Sequence, residues 1–161
     1  QCRLVPILGN HEEMLLGARE GKSDLEFFLH CGGISTLDSY GDTGRLDLIP
    51  REHWQFVESC RPYFETDDQI FVHANYAPNL PLDQQDSQTL HWRPLRDDPP
   101  GRHYSGNRVF LGHTPQEDGM VLDMGHLVCL DTGCGHGGPL SAMDVTSGQV
   151  WQVDEDGKEL E

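Results

Sequence analysis

Two features are missing from the sequence: closely spaced cysteine pairs and a long apolar run. The five cysteines are scattered and none forms a Cys-x-x-Cys pair, which argues against a disulfide framework and against a structural zinc site. A reducing, cytoplasmic compartment is therefore the expected location. No apolar run approaches the roughly 18 residues that cross a bilayer, so we expect no membrane association.

Basic residues are also scarce. The chain has 11 Lys and Arg against 27 Asp and Glu, and its formal net charge is −16 at pH 7. A chain this acidic repels nucleic-acid phosphates and anionic lipids, so neither is expected as a partner. Most of the carboxylates are interpreted as a solvated surface, and the alternative is that some of them bind cations.

The length and pattern of the chain favour one α/β domain. Its 161 residues fit a single domain over residues 1–161, and 36% hydrophobic residues suffice for a core. Helical patterns precede residue 62; one covers residues 12–20, and another opens at the capping box Ser23-Asp24-Leu25-Glu26. Strand patterns follow. The charged residues 154–161 are predicted to be a flexible tail.

Three short apolar runs, each predicted to be a strand, end at residues that can bind metal ions. These are residues 3–8 with Asn10 and His11, residues 69–72 with His73, and residues 108–111 with His113. In layered α/β folds, ligands bind beyond the carboxyl ends of strands, so neighbouring strands would bring such residues together. Imidazole nitrogen and amide oxygen suit Mn²⁺, Fe²⁺ or Zn²⁺. Taken singly, each histidine is equally compatible with a turn or a cap, and spacing alone leaves both interpretations open.

Four motifs, in a fixed order, resemble those of a known superfamily. They are Gly9-Asn10-His11-Glu12, Val72-His73-Ala74, Gly112-His113-Thr114, and Leu130-Asp131-Thr132-Gly133-Cys134 followed by Gly137-Gly138-Pro139-Leu140. They resemble the GNHE, VHA and GHT motifs and the late hairpin of the calcineurin-like metallophosphoesterases. The set Gly32-Gly33, Thr36-Leu37 and Tyr40-Gly41 is similar to the helical segment of the small bacterial and phage members.

Within that superfamily, the chain is most similar to the serine/threonine phosphoprotein phosphatase branch. Glu12, followed by Glu13-Met14-Leu15, favours this branch because the symmetrical tetraphosphatases carry Asp after the histidine. The resemblance implies an α/β sandwich of two mixed β-sheets flanked by helices. It also implies hydrolysis of phosphomonoesters, on phosphorylated proteins or small phosphoesters, by a hydroxide held between two divalent ions. Mn²⁺ is the expected ion, with Fe and Zn as alternatives.

The resemblance also assigns roles to individual residues. Carried over one by one, Asn10, His73 and His113 bind one metal ion, and His11 acts as general acid toward the leaving oxygen. Glu12 is interpreted as a helix cap rather than a ligand.

The long segment 75–106, interpreted as a functional loop, contains the candidate phosphate-binding arginine. Leu90-His91-Trp92-Arg93 resembles the family segment that supplies it, and the planar fork of Arg93 can bind two phosphate oxygens at once. A solvated loop arginine is the alternative interpretation. Arg96 and Arg102 are weaker candidates.

Two family motifs, Asp-x-His and Gly-Asp-x-x-Asp-Arg-Gly, are missing. Both precede GNHE in the family and supply the remaining metal ligands, and only eight residues precede GNHE here. Gly41-Asp42-Thr43-Gly44-Arg45 is a superficial match on the wrong side. The resemblance therefore implies the C-terminal portion of a phosphoesterase domain, and this chain alone is expected to bind metal weakly and to be inactive. Two alternatives stay open: a dinucleoside tetraphosphate hydrolase of the same superfamily, and a non-catalytic remnant that binds a partner.

Overall fold

The chain folds into two compact units, and the first of them ends at Pro62. The described residues of this first unit contain four α-helices. The computed structural model describes residues 2–21, 25–96 and 99–160. The helices are α1 (Asn10–Glu20), α2 (Leu25–Phe28), α3 (Ile34–Asp38) and α4 (Arg51–Ser59). The single domain expected over residues 1–161 stays a prediction.

Helix α1 begins at the GNHE motif. Gly9 precedes its first turn in an extended conformation, and the Gly9 N–H donates to the Glu12 carboxylate at 3.0 Å. This bond is the reciprocal arm of a capping box and confirms Glu12 as a helix cap. Met14 and Leu15 are buried, and Gly21 ends the helix with φ 71.

The strand predicted over residues 3–8 is wrong. Within its described residues, the only pairing is one parallel bridge between Ile7 and Arg61. Leu8 N–H donates to the Arg61 carbonyl at 2.7 Å, and Arg61 N–H donates to the Pro6 carbonyl at 3.0 Å. Because Pro6 has no N–H, it cannot donate the ladder bond that a longer strand needs.

A kink separates α2 from α3. Ser23 and Asp24, which open the predicted capping box, lie outside the described residues, and α2 is described from Leu25. It leads into a kinked turn, Leu29–Gly33, in which Gly32 (φ 101, ψ −1) departs from helical values. Glycine permits this positive φ, which a residue with a Cβ rarely adopts.

Helix α4 packs against α1 through a charged pair. The Arg19 guanidinium lies 4.5 Å from the centroid of the Trp54 ring and 2.7 Å from the Glu58 carboxylate. Phe56 is 51% exposed, because it lies two residues after Trp54 and two residues rotate a helix by about 200°. None of the described helices is both long and apolar enough to cross a membrane.

A five-stranded mixed sheet forms the centre of the second unit, which starts at Tyr63. Its order is β1-β2-β3-β5-β4, with β2, β3 and β5 parallel to one another and β1 and β4 antiparallel at the edges. A separate antiparallel pair forms a second sheet. This architecture confirms the predicted α/β class. The strands are β1 (Tyr63–Glu65), β2 (Gln69–Val72), β3 (Arg108–Leu111), β4 (Leu122–Asp123), β5 (Leu127–Cys129), β6 (Leu140–Met143) and β7 (Val150–Val153).

The core of the second unit lies on one face of the larger sheet. Residues of the long loop 75–106 pack there, so this loop helps to build the core. On the other face, the Phe71 and Phe110 rings stack with centroids 5.3 Å apart. Parallel strands need apolar residues on both faces, which explains the uninterrupted apolar runs. The core members are Ile70, Val72, Tyr76, Leu82, Leu90, Leu95, Val109, Leu111, Leu127 and Cys129.

Residues 154–160, which belong to the predicted tail, fold back along β7. Asp154 N–H donates to the Lys158 carbonyl at 3.0 Å, and Leu160 N–H donates to the Gln152 carbonyl at 2.9 Å. The segment therefore has backbone partners in the second unit.

Candidate active site

His73 and His113 lie together at one edge of the larger sheet. Strands β2 and β3 are parallel neighbours, so their carboxyl ends meet there, and the two histidines follow those ends. His73 Nε2 and His113 Nδ1 are 3.1 Å apart, and both side chains are half-buried. The structure thus brings these two histidines together, as the strand-end pattern predicts, and their role as metal ligands stays a prediction.

The backbone at His113 adopts an unusual conformation. Its φ of 64 makes it the single non-glycine residue with positive φ among those described. Such a conformation costs about 1–2 kcal/mol for a residue with a Cβ, and outliers of this kind concentrate at functional sites. Gly112 N–H donates to the His73 carbonyl at 2.8 Å, and Thr114 N–H donates to the Gly112 carbonyl at 2.7 Å. These bonds on either side fix the turn that presents the His113 ring.

The second ring nitrogen of His113 defines its tautomer. His113 Nε2 lies 3.0 Å from the Trp92 carbonyl oxygen. Because a carbonyl only accepts, Nε2 carries the hydrogen in the neutral ring, and Nδ1 directs its lone pair toward His73. Histidines that bind metals commonly donate the other N–H to a carbonyl in this way, which fixes the ring orientation. His113 therefore has the arrangement expected of a ligand that binds through Nδ1.

The segment that carries Arg93 runs along the same sheet edge. Ala74 N–H donates to the Leu90 carbonyl at 2.8 Å, and Leu95 N–H donates to the Thr114 hydroxyl at 2.7 Å. Arg93 lies between these two anchors and is exposed. Its backbone is thus held near the histidine pair, and its side chain is open to solvent.

The charge of Arg93 also acts on Asp86. Hydrogen bonds from Thr89 lower the pKa of the exposed Asp86 carboxyl, with a smaller contribution from Arg93. Phosphate binding by Arg93 stays a prediction. Of the weaker candidates, Arg102 donates to a backbone carbonyl at 3.2 Å and Arg96 lines the cleft described below.

Asn10 and His11 occupy the first turn of α1 in the first unit. Asn10 is 8% exposed and His11 is exposed. The turn Leu29–Gly33 passes beside the His11 ring, since a Cβ on Gly32 would lie 3.5 Å from His11 Cε1. The ligand role of Asn10 and the acid role of His11 stay predictions.

Asp131 is a further candidate residue of this site, and the sequence motifs assign it no role. It follows β5, the parallel neighbour of β3. A Cβ on Gly112 would lie 3.7 Å from both the Asp131 Cβ and the His73 carbonyl oxygen. Asp131 Oδ1 accepts the Gly133 N–H at 3.1 Å. The signal was present in the sequence, because the apolar run 127–130 ends at a carboxylate as the other two parallel strands end at histidines.

A cleft of about 910 Å³ begins beside this edge, at Thr114. The loops 114–119 and 132–139 form its walls, and Arg96 contributes to its lining. Its volume lies within the range of roughly 300–1,000 Å³ that is typical of small-molecule sites.

The wall 132–139 depends on a glycine and a buried threonine. A Cβ on Gly138 would lie 2.2 Å from the Thr132 carbonyl oxygen, so no larger residue fits without a shift of the loop. The Gly138 N–H donates to the Gly133 carbonyl at 2.9 Å. The Thr132 hydroxyl donates to the Pro139 carbonyl at 2.7 Å and lies 2.6 Å from the Ser141 hydroxyl. These contacts hold this wall of the cleft in place.

The described residues fit part of a metal site. Within residues 2–21, 25–96 and 99–160, no group of three or more His, Cys, Asp or Glu side chains is arranged to hold a metal ion. His73 and His113 nevertheless offer two nitrogens whose 3.1 Å separation suits two ligands of one ion, with bonds of about 2.0–2.1 Å to each. The third predicted ligand, the amide of Asn10, belongs to the first unit. The two-ion expectation stays a prediction.

Comparisons with known proteins bear on the fold. No protein-family model matches the chain, and no curated protein is significantly similar to it. Among solved structures, the fold is similar to a crystal structure provisionally described as a diadenosine tetraphosphatase, with a TM-score of 0.61 and 17% identity. The match covers 93% of this chain and 68% of that chain. It shows that the two chains share a mixed α/β fold.

Proposed function

We propose that this protein hydrolyses phosphomonoesters with the help of divalent metal ions, and that phosphoserine and phosphothreonine on proteins are its main substrates. The observation that carries the proposal is the histidine pair: His73 and His113 meet at adjacent parallel strand ends, and Trp92 fixes the ring of His113. The similarity in fold to the structure described as a diadenosine tetraphosphatase supports the coarser statement that the protein is a phosphoesterase. The phosphoprotein substrate is the finer part of the proposal.

The metal-binding part of the proposal involves three side chains. Asn10, His73 and His113 would hold one ion, with the histidines binding through Nε2 and Nδ1. Two divalent ions, Mn²⁺ or alternatively Fe or Zn, would neutralise phosphate charge and lower the pKa of bound water. The donor set suits such ions, because imidazole and amide groups bind borderline divalent metals.

Two further side chains would act on the substrate itself. The Arg93 fork binds two phosphate oxygens and favours the charge that develops on them as the ester bond breaks. His11 is exposed on the first turn of α1 and donates a ring proton to the leaving oxygen. The cleft between loops 114–119 and 132–139, which begins next to His113, would offer room for part of the substrate.

A second candidate function is hydrolysis of dinucleoside tetraphosphates. The similarity to the crystal structure described as a diadenosine tetraphosphatase favours it. The residues after the GNHE motif, Glu13-Met14-Leu15, favour the phosphoprotein phosphatase instead. The two functions share the same histidine pair and differ in the group that must fit the cleft.

Turnover of a phosphoserine peptide and of diadenosine tetraphosphate, each with Mn²⁺, separates the candidates. We expect faster hydrolysis of the peptide by the intact protein, and loss of it in His113→Ala but not in the surface variant His53→Ala. Faster hydrolysis of the dinucleotide would favour the second candidate. Hydrolysis of neither substrate with any divalent ion, together with binding of a partner that His11→Ala does not weaken, would indicate a non-catalytic module.

A further inference from the structure

At Gly32 the backbone, which carries no side chain, lies beside the edge of the His11 ring that contains Cε1. A Cβ built on Gly32 would lie 3.5 Å from His11 Cε1, the ring carbon between the two nitrogens. Any side chain at position 32 would therefore contact the ring where it accepts and releases protons. The exposed His11 ring faces a glycine at this edge.

The kink that places Gly32 there is fixed by its neighbours. Gly32 has φ 101, a conformation that glycine adopts without strain, and Cys31 also departs from helical values with φ −88 and ψ 22. The next residue, Gly33, is buried, and a Cβ on it would lie 2.6 Å from the Phe28 carbonyl oxygen. Phe28 is 1% exposed. Close packing of Gly33 on Phe28 thus holds the turn beneath His11.

We propose that Gly32 is a positioning residue for His11. The turn Leu29–Gly33 limits the rotation of the imidazole on one side, and the missing side chain leaves room for a leaving group beside both ring nitrogens. This inference rests on the proposed function, because it takes His11 to be the general acid.

The contact can be measured without activity, by NMR on the metal-free protein. His11→Gln identifies the His11 Hε1 signal, and we expect a nuclear Overhauser effect between that proton and the Gly32 Hα protons. In Gly32→Ala the new methyl should show the same effect and shift the His11 signal. Gly41→Ala is the matched control, because Gly41 has φ 109 and a Cβ there would meet nothing within 4 Å. Absence of the effect in the wild-type protein, or equal His11 shifts in both variants, would overturn the proposal.

A kinetic comparison tests the positioning role. Loss of a well-placed general acid slows esters with poor leaving groups more than those with good ones, so Gly32→Ala should lower kcat for phenyl phosphate about tenfold or more and affect p-nitrophenyl phosphate much less. Gly41→Ala should change both rates equally. If Gly32→Ala lowers both rates by one factor, Gly32 has no positioning role. If the wild-type protein hydrolyses neither ester, the proposed function fails, while the nuclear Overhauser effect still decides whether Gly32 holds the ring.

Discussion

His73 Nε2 lies 3.1 Å from His113 Nδ1, at the carboxyl ends of two parallel strands. The relationship follows from the pairing of β2 with β3 and from the bond between the second nitrogen of His113 and Trp92. It leaves two imidazole nitrogens directed at the same space. The proposed activity depends on this arrangement more than on any other feature of the described residues.

The tautomer of His113 is the first prediction. Because the Trp92 carbonyl accepts a hydrogen bond from Nε2 at 3.0 Å, the neutral ring should carry its hydrogen on Nε2. Long-range ¹H–¹⁵N correlation spectra of the metal-free protein, assigned with His113→Gln, report the tautomer directly. A ring protonated at Nδ1 would show that the bond to Trp92 does not form.

Metal affinity should depend on the histidine pair. Truncation of His113 to Ala removes one of two adjacent nitrogen donors, so binding of Mn²⁺ or Zn²⁺ should weaken by at least about tenfold in calorimetry. His53→Ala is the control, since His53 is exposed and bonds to the Tyr40 hydroxyl at 2.8 Å. Equal affinity in the wild-type protein and both variants would exclude His113 as a ligand.

Arg93 should matter more for turnover than another loop arginine. Loss of a charge-assisted hydrogen bond worth about 1.5–3 kcal/mol predicts that Arg93→Ala lowers kcat/KM for a phosphomonoester by roughly 10- to 100-fold. Arg102→Ala, which removes an arginine bonded to a backbone carbonyl, should change kcat/KM by less than about threefold. If the two variants behave alike, Arg93 is a solvated loop residue.

Tyr76 should make stability fall at high pH. Burial raises the pKa of Tyr76 to about 12, with Arg102 lowering it slightly, and the hydroxyl donates to the Gly101 carbonyl at 2.9 Å. The unfolded chain ionises tyrosine near 10, so between pH 10 and 12 it binds fewer protons than the folded chain. The free energy of unfolding is then at its full value below about pH 10 and falls as the pH rises toward 12.

Urea unfolding at several pH values tests this, with Tyr76→Phe as the comparison. The variant should lose about 1 kcal/mol at pH 7 with the hydrogen bond to Gly101, and its stability should fall less above pH 10. Since the chain has four tyrosines, the difference between the two proteins isolates Tyr76. The same decline in both proteins would contradict the effect of burial on Tyr76.

An apolar run in the sequence was enough to predict the parallel strands of the sheet. It was not enough where the formation of a strand depends on which segment it pairs with. The runs 69–72 and 108–111 became β2 and β3 because apolar residues are needed on both faces of a parallel strand. Residues 3–8 are just as apolar but pair only through Ile7. Tyr63–Glu65 has no comparable pattern and became β1 through its pairing with β2.

The histidines of the candidate site could be predicted from the sequence, but the groups that hold their rings in place could not. His73 and His113 could be placed together because parallel neighbours end at the same edge of a sheet. The Trp92 carbonyl could not be found, since backbone groups of an irregular loop leave no mark in the sequence. Gly32 belongs to the Gly32-Gly33 motif, but its contact with His11 depends on how the kinked turn packs.

The most direct test of metal-dependent phosphoester hydrolysis is the rate at which the intact protein hydrolyses p-nitrophenyl phosphate with and without Mn²⁺. The account predicts hydrolysis that requires the ion, disappears with a chelator, and is lost in His113→Ala and reduced in His11→Ala. No hydrolysis with any divalent ion, or an undiminished rate in His113→Ala, would contradict it.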